Sequence, residues 1–140
     1  MGKKTKVVID TNIIVSAFGW HGNPEEVVKL VSQGKILNFI TFEILDELRR
    51  VVSYPKLKFP EELQAEIIET MFAISHIVSS SESLSIIEND PSDNKVLECA
   101  VSSNVDFIIT GDKHLLNLKN FRCIEILTPE AFLTKGVLKK

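Results

Sequence analysis

Two short apolar segments of this sequence end in the same way, and this pattern restricts the fold more than any other feature. Residues 7–9 (VVI) run directly into Asp10, and residues 105–109 (VDFII) run through Thr110 and Gly111 into Asp112. A short apolar run bounded by turn residues is typical of a buried strand. We therefore expect an α/β protein in which two strands of one sheet each end close to an aspartate.

The rest of the chain alternates between strands and helices. Strands are predicted at residues 7–9, 37–40, 76–78, 105–109 and 123–127, and helices at 24–33, 41–54, 60–74, 90–102 and 130–134. This alternation predicts a parallel sheet of about five strands flanked by helices, with right-handed crossovers. The 140 residues contain no linker and no repeat, so a single three-layer α/β domain over residues 1–140 is expected.

Charge and cysteine content narrow the possible functions. The formal net charge of -3 argues against a general electrostatic hold on nucleic acid, but it allows a local basic rim around an acidic centre. No apolar run approaches the roughly 20 residues of a membrane helix. The first apolar stretch meets Asp10 too early for a signal peptide. Cys99 and Cys123 have no CxxC partner and are expected to be buried thiols in a reducing cytoplasm.

Asp10 and Asp112 are the first candidates for chemistry. In sheets of this kind, ligands bind outside the carboxyl ends of the strands, near the point where the strand order reverses. Because both aspartates follow strands, they are expected at the same edge of the sheet. The alternative for each is a helix cap, which is a common role for an aspartate after a strand.

Two further acids, Asp93 and Glu47, have helical positions that direct them towards the same edge. Asp93 lies in the first turn of its helix, in register with the apolar face, so it is expected to point towards the sheet. Glu47 lies about 100° from the centre of its apolar stripe, whereas Glu43 and Asp46 point further away. A capping acid at Asp93 and a solvated flank at Glu47 are the alternatives.

Four carboxylates in one cleft would repel each other unless a cation were present. Oxygen ligands without cysteine or histidine suit Mg²⁺ or Mn²⁺ rather than zinc. Such ions assist phosphodiester hydrolysis by activating a water and stabilising charge on the phosphate. The neighbouring side chains of Thr11, Asn12, Ser16 and Thr110 could orient the acids or the water, although each is more often structural when taken alone.

Four segments, in this order, resemble the PIN domain family: VIDTNIIVSA, EILDELRRVVSYPKL, DPSDNKVLECAVSSNVDFIITGDKHLLNL and IEILTPEAFL. The sequence is most similar to the VapC-like toxin branch of prokaryotic toxin-antitoxin systems, whose members share the TGDKxLL and TPxxF segments. The resemblance implies a five-stranded parallel sheet between helices. It also implies a ribonuclease that needs Mg²⁺ or Mn²⁺ to hydrolyse RNA phosphodiester bonds.

The resemblance further implies roles for individual residues and partners. Three aspartates would hold the metal ion, namely Asp10, Asp93 and Asp112. Glu47 would help to position the water or a second ion, and Asn12 and Thr110 would support these acids. The family commonly forms homodimers, and its toxins are commonly blocked by a cognate antitoxin whose peptide covers the active site.

Contact with RNA phosphates is expected from four cations that lie beside the acids in sequence, namely Arg49, Arg50, Lys95 and Lys113. The alternative for each is a solvated surface charge. Trp20 and His21, in the segment FGWHGNP, could form a loop near the site that stacks on a base. A packed tryptophan is the favoured interpretation of Trp20.

Three other functions fit parts of this pattern. A phosphoacceptor signalling domain would carry an acidic pair after the first strand, and a phosphatase of the haloacid dehalogenase type would carry DxD there. The sequence has Thr11 and Asn12 instead. The stronger alternative is a non-catalytic module that binds RNA or an antitoxin and uses the acids only to hold a structural metal ion.

Overall fold

The computed structural model describes residues 3–81, 83–84 and 91–135. The strands in these ranges are β1 (Thr5–Ile9), β2 (Ile36–Ile40), β3 (Ser75–Ile77), β4 (Phe107–Ile109), β5 (Asn120–Phe121) and β6 (Ile124–Leu127). The helices are α1 (Thr11–Gly19), α2 (Asn23–Ser32), α3 (Phe42–Val52), α4 (Glu61–Ile74), α5 (Pro91–Ser103), α6 (Lys113–Leu116) and α7 (Pro129–Thr134). A short 3-10 helix, Pro55–Leu57, follows α3.

The strands form one sheet in the order β3-β2-β1-β4-β6-β5. All neighbouring pairs from β3 to β6 are parallel, and β5 pairs with β6 in the antiparallel direction. The predicted α/β fold with five parallel strands is therefore confirmed, and β5 adds a short antiparallel edge. From β1 the chain proceeds to β2 and β3 on one side, and it then crosses to β4 on the other side. The strand order thus reverses between β1 and β4, which is where α/β sheets open a crevice for ligands.

Strands β1 and β4 lie in the middle of the sheet and are deeply buried. Val7, Val8, Ile108 and Ile109 have no exposed surface. Helix α5 packs on β1, β2 and β4, and α2 packs on β2. A parallel strand that is covered on both faces needs apolar residues at consecutive positions. This requirement explains why both strands are continuous apolar runs in the sequence.

Helix α1 is the longest element that the sequence pattern does not predict. Five of its nine residues are buried, namely Thr11, Ile13, Ile14, Val15 and Ala17. Burial at nearly consecutive positions leaves no polar stripe to reveal a helical period, and β-branched residues are more typical of strands. Packing of α1 against α2 and α3 stabilises the helix despite these local preferences.

The ends of the other helices lie within a few residues of the predicted ones. Helix α3 begins at Phe42 because the Thr41 hydroxyl accepts a hydrogen bond of 3.2 Å from the backbone N–H of Ile44. Helix α5 begins at Pro91, and the start predicted at residue 90 lies outside the described residues. In the described part of the chain, no helix has the length and apolar character needed to cross a membrane.

Candidate functional site

Asp10 lies where β1 ends and α1 begins, and it is 6% exposed. Its backbone carbonyl accepts hydrogen bonds from the N–H groups of Ile13 and Ile14, at 3.0 and 3.2 Å, and so starts the helix. Its side chain makes no capping hydrogen bond with α1. Instead, Oδ2 accepts a hydrogen bond of 2.7 Å from the hydroxyl of Thr110. The carboxylate is therefore held from the end of β4 rather than by the helix that follows it.

Thr110 connects the ends of the two central strands. It is fully buried, and its backbone N–H donates to the carbonyl of Leu127 at 2.9 Å. Its hydroxyl donates to Asp10 and accepts a hydrogen bond of 3.0 Å from the backbone N–H of Asp112. With donor and acceptor both engaged, the hydroxyl has one rotamer that satisfies both neighbours. Thr110 therefore fixes the orientation of the Asp10 carboxylate.

Asp112 serves as a helix cap in this structure. Its Oδ1 accepts hydrogen bonds from the backbone N–H groups of His114, at 2.8 Å, and Leu115, at 3.3 Å, at the start of α6. The capping alternative thus applies to Asp112, although not to the side chain of Asp10. Both bonds fall on Oδ1, so a second role for Oδ2 is geometrically compatible with capping.

Asp93 is buried in the first turn of α5, with 4% of its surface exposed. Aspartate is rarely buried this deeply without a polar partner or a metal ion. A helix between two parallel strands runs antiparallel to them, so its first turn lies at the edge where those strands end. Lys95 and Val96 of the next turn border the cavity that Asp10 also borders. The fold therefore delivers Asp93 to the same edge of the sheet as Asp10.

A cavity of about 320 Å³ opens at this edge, between the end of β1, one face of α3 and the first turns of α5. Asp10 and Thr11 form one wall, and Lys95 and Val96 form another. The charged side chains on the third wall come from α3, namely Glu43, Asp46, Glu47 and Arg50. Acidic side chains outnumber basic ones around the opening, so the cavity favours a cation.

Glu47 borders this cavity together with Asp10. Its side chain is 28% exposed, and its Oε1 accepts a hydrogen bond of 2.6 Å from Nη2 of Arg50. The positive charge of the Arg50 guanidinium is therefore in contact with the Glu47 carboxylate at the cavity wall. Glu43 and Asp46 were expected to point away, yet they border the same opening. The sequence does contain a sign of this position. Residues 43, 46, 47 and 50 are spaced as i, i+3, i+4 and i+7, and this spacing places all four side chains on one face of the helix.

Several predicted site residues lie outside the cavity. Arg49 pairs with Asp46 at 3.1 Å and borders a groove along α4 instead. Ser16 and Lys113 border neither this groove nor the cavity, and Asn12 is exposed beside a second cavity. Of the four predicted phosphate contacts, the structure thus brings two, Arg50 and Lys95, to the acidic cavity.

Two expectations about buried side chains are wrong: Cys123 is exposed, whereas Cys99 is buried as expected, and Trp20 is not packed in the core. Trp20 is 57% exposed, and its ring tilts against Phe59 with 6.1 Å between centroids. It follows the last residue of α1, where the chain turns towards α2. Its position at a helix end, rather than on a buried face, explains the exposure.

A divalent ion is compatible with the donor chemistry of the cavity. In the ranges 3–81, 83–84 and 91–135, no group of three or more His, Cys, Asp and Glu side chains is arranged to hold a metal ion. Asp10 and Glu47 nevertheless border one cavity, and the buried Asp93 lies on the same helix as Lys95 and Val96, which also border it. Mg²⁺ is usually held by one or two carboxylates together with waters and substrate phosphates, rather than by a closed protein cage. The residues therefore fit an ion whose coordination is completed by substrate.

Known proteins share this architecture and sequence. Residues 6–114 match the family model of the PIN domain. An uncharacterised protein of Methanocaldococcus jannaschii is 33% identical over 121 residues, which cover 84% of this chain and 77% of that protein. The crystal structure of VapBC2 from Rickettsia felis, bound to a DNA fragment from their promoter, resembles the fold with a TM-score of 0.60 and 18% identity. The likeness covers 87% of this chain and 97% of that one.

The family match extends from β1 into α6. It therefore contains each element that borders the acidic cavity, as well as Thr110 and Asp112. The Rickettsia felis structure supports the fold. The match to the family model covers most of the chain, and the sheet is a parallel α/β sheet whose strand order reverses beside Asp10. This chain therefore belongs to the PIN domain family.

Proposed function

We propose that this PIN domain protein is a Mg²⁺- or Mn²⁺-dependent endoribonuclease that hydrolyses RNA phosphodiester bonds. The observation that carries the proposal is the placement of Asp10. Its carboxylate is not used to cap the adjacent helix, is held by Thr110 at 2.7 Å, and borders an acidic cavity at the switch point of the sheet. Buried acids at such a position are typical of a catalytic centre rather than of a surface.

The residues that would hold the metal ion are Asp10, Asp93 and Asp112, with Glu47 on the opposite wall of the cavity. When bound, the ion would neutralise charge on the scissile phosphate and lower the pKa of a water molecule. Thr110 keeps the Asp10 carboxylate in one orientation, and Thr11 and Asn12 follow it at the start of α1. This arrangement depends on the fold, because the acids come from four separate elements or their ends.

The side chains around the cavity have separate tasks in the proposed reaction. Arg50 and Lys95 are the cations at the opening, and they attract the phosphate backbone towards an otherwise acidic wall. Glu47 orients the attacking water by accepting a hydrogen bond from it. For this, Arg50 transfers its contact from Glu47 to a phosphate oxygen. The water oxygen then bonds to phosphorus as the bond to the leaving ribose oxygen breaks; the water releases a proton to the solvent, and the leaving ribose oxygen takes up a proton from the solvent.

The proposed partners are RNA, a second copy of the chain and a cognate antitoxin. The toxin assignment is supported by the VapC-like segments of the sequence and by the fold shared with VapBC2 of Rickettsia felis. A cytoplasmic location follows from the proposed substrate. An antitoxin peptide would inhibit the enzyme by covering the opening that Arg50 and Lys95 border.

A second candidate function is a non-catalytic module that binds RNA or an antitoxin. The observation in its favour is that the described residues form no group of three metal-binding side chains. In this alternative, the acids at the sheet edge hold at most a structural ion. The two candidates differ in whether purified protein breaks a phosphodiester bond.

The deciding experiment is cleavage of a labelled mixed-sequence RNA by the purified protein with Mg²⁺, with Mn²⁺ and with EDTA. Asp10→Asn and Asp112→Asn remove one charge each, and Glu66→Gln is the matched control, since Glu66 is exposed on α4 and borders neither cavity. We expect metal-dependent cleavage by the unmodified and Glu66→Gln proteins and a loss of at least 100-fold in both Asp variants. Equal cleavage by the Asp10→Asn protein refutes the proposal.

A further inference from the structure

A second cavity lies on the other side of Glu47 from the acidic one. It has a volume of about 300 Å³ and is bordered by Asn12 and Val15 of α1, by Glu47 and Val51 of α3, and by the chain segment after α3. Glu47 borders both cavities, and Asn12 directly follows the residue Thr11 that borders the first. The two cavities are therefore adjacent, with one acid between them.

The walls of the second cavity differ in character from those of the first. Val15, Val51 and Leu57 are apolar, and Glu47 is the only acid among the described residues that border it. The volume corresponds to about ten water molecules at roughly 30 Å³ each, which is sufficient for one nucleobase. An apolar, planar group is a better occupant of such walls than a second metal ion.

Tyr54 gives this cavity an aromatic surface. Its side chain is 47% exposed, and it borders the cavity at the end of α3. Its backbone is held in place because its N–H donates to the carbonyl of Val51 at 3.1 Å and its carbonyl accepts from Leu57 at 3.0 Å. An exposed ring on a fixed backbone is the kind of platform on which unpaired bases stack.

Lys56 and Asn12 add polar groups beside the ring. Lys56 is exposed, and it forms no ion pair with any residue in the described part of the chain. By contrast, Arg50 at the first cavity is paired with Glu47. A cation without an acidic partner is available to a phosphate oxygen. The exposed amide of Asn12 can both donate to and accept from the edge of a base.

We propose that this second cavity is a binding site for the base of the nucleotide next to the scissile phosphate. The base stacks on Tyr54, its edge meets Asn12, and Lys56 contacts the adjoining phosphate. Glu47 between the cavities then separates the base site from the cleavage site. The inference rests on the proposed ribonuclease function, because it assigns substrate contacts to that same site. A base within a duplex cannot enter, since its faces are already stacked.

The test measures both binding and cleavage. Binding of a fluorescently labelled single-stranded oligoribonucleotide is followed by anisotropy with Asp10→Asn protein, and KM and kcat are measured with otherwise unmodified protein. The variants are Tyr54→Ala, Tyr54→Phe and Lys56→Ala. The matched controls are Phe72→Ala, which removes a ring that is 54% exposed on α4, and Lys35→Ala, which removes a lysine at the opposite edge of the sheet.

We expect Tyr54→Ala to raise Kd and KM about 5- to 100-fold, because stacking of one base is lost. Tyr54→Phe retains the ring and should remain within about twofold of unmodified protein, as should both controls. Lys56→Ala should weaken binding and reduce its salt dependence. A duplex of the same sequence should bind more weakly than the single strand. Equal affinities of the Tyr54→Ala and Phe72→Ala proteins overturn the inference, as does equal binding of the duplex.

Failure of the ribonuclease proposal gives a different result. If no metal supports cleavage, the proposed function is wrong, and the base site is judged on anisotropy alone. Binding that still depends on Tyr54 supports the base site in a non-catalytic protein. Absence of binding, or binding that is insensitive to Tyr54, overturns it.

Discussion

Replacement of Thr110 by valine tests whether one buried hydroxyl orients the site. Valine keeps the shape of threonine but removes the group that donates to Asp10 at 2.7 Å and accepts from the Asp112 N–H at 3.0 Å. A hydrogen bond to a charged group contributes about 1.5–3 kcal/mol, and the partly buried Asp112 N–H adds about 1 kcal/mol when it loses its partner. The added methyl group of valine offsets about 1 kcal/mol of this sum. We therefore expect Thr110→Val to lower the free energy of unfolding by about 2 kcal/mol.

Thr110→Ser is the complementary variant. It keeps both hydrogen bonds and loses one buried methyl group, so it should cost only about 1 kcal/mol. The free energies are obtained from urea unfolding, in which the midpoint shifts and the slope stays constant. In the cleavage assay, Thr110→Val should lower kcat at least tenfold and Thr110→Ser should retain most activity. A serine protein that is less stable than the valine protein refutes the assigned role, because packing of the methyl group would then dominate.

Four further outcomes follow from the structure. Cys99 is buried, and burial raises the pKa of its thiol from 9.0 to about 12; at pH 8, Ellman's reagent should therefore titrate only the exposed Cys123 in folded protein and both thiols in urea. Above pH 9, the free energy of unfolding should fall, because the Cys99 thiol ionises at a lower pH in the unfolded chain than in the folded protein. If the difference in free energy of unfolding between unmodified and Cys99→Ala protein stays constant from pH 8 to 11, this expectation is wrong. Leu48→Ala should destabilise the fold by about 2–5 kcal/mol, since Leu48 has no exposed surface. Added Mn²⁺ should raise the melting temperature of unmodified but not Asp10→Asn protein, and an equal rise in both would place the ion elsewhere.

The central strands and most helices could be predicted because their signals are local. Consecutive apolar residues at 7–9 and 107–109 already indicate strands that are buried on both faces. Threonine, glycine and proline mark the helix ends, as at Thr41 and Thr128, whose hydroxyls both accept capping hydrogen bonds. Helix α1 could not be predicted, since its helical state depends on packing against α2 and α3.

The same local pattern, an aspartate shortly after an apolar strand, led to different outcomes at Asp10 and Asp112. Asp112 caps α6, whereas the Asp10 side chain makes no capping bond with α1. The difference comes from Thr110, a residue that is 100 positions away from Asp10 in sequence and occupies the neighbouring strand end. No local pattern contains this contact.

The sequence by itself determined the order of strands and helices, and hence the edge of the sheet at which Asp10, Asp93 and Asp112 arrive. Only the tertiary structure decided which neighbouring side chains face the acidic cavity. Arg49 and Arg50 are adjacent and identical in chemistry, yet Arg50 borders the cavity and Arg49 borders the groove along α4. Successive residues of a helix differ by about 100° in direction. The outcome therefore depends on how α3 is seated between α1, α4 and α5, and that position is set by packing across the whole core.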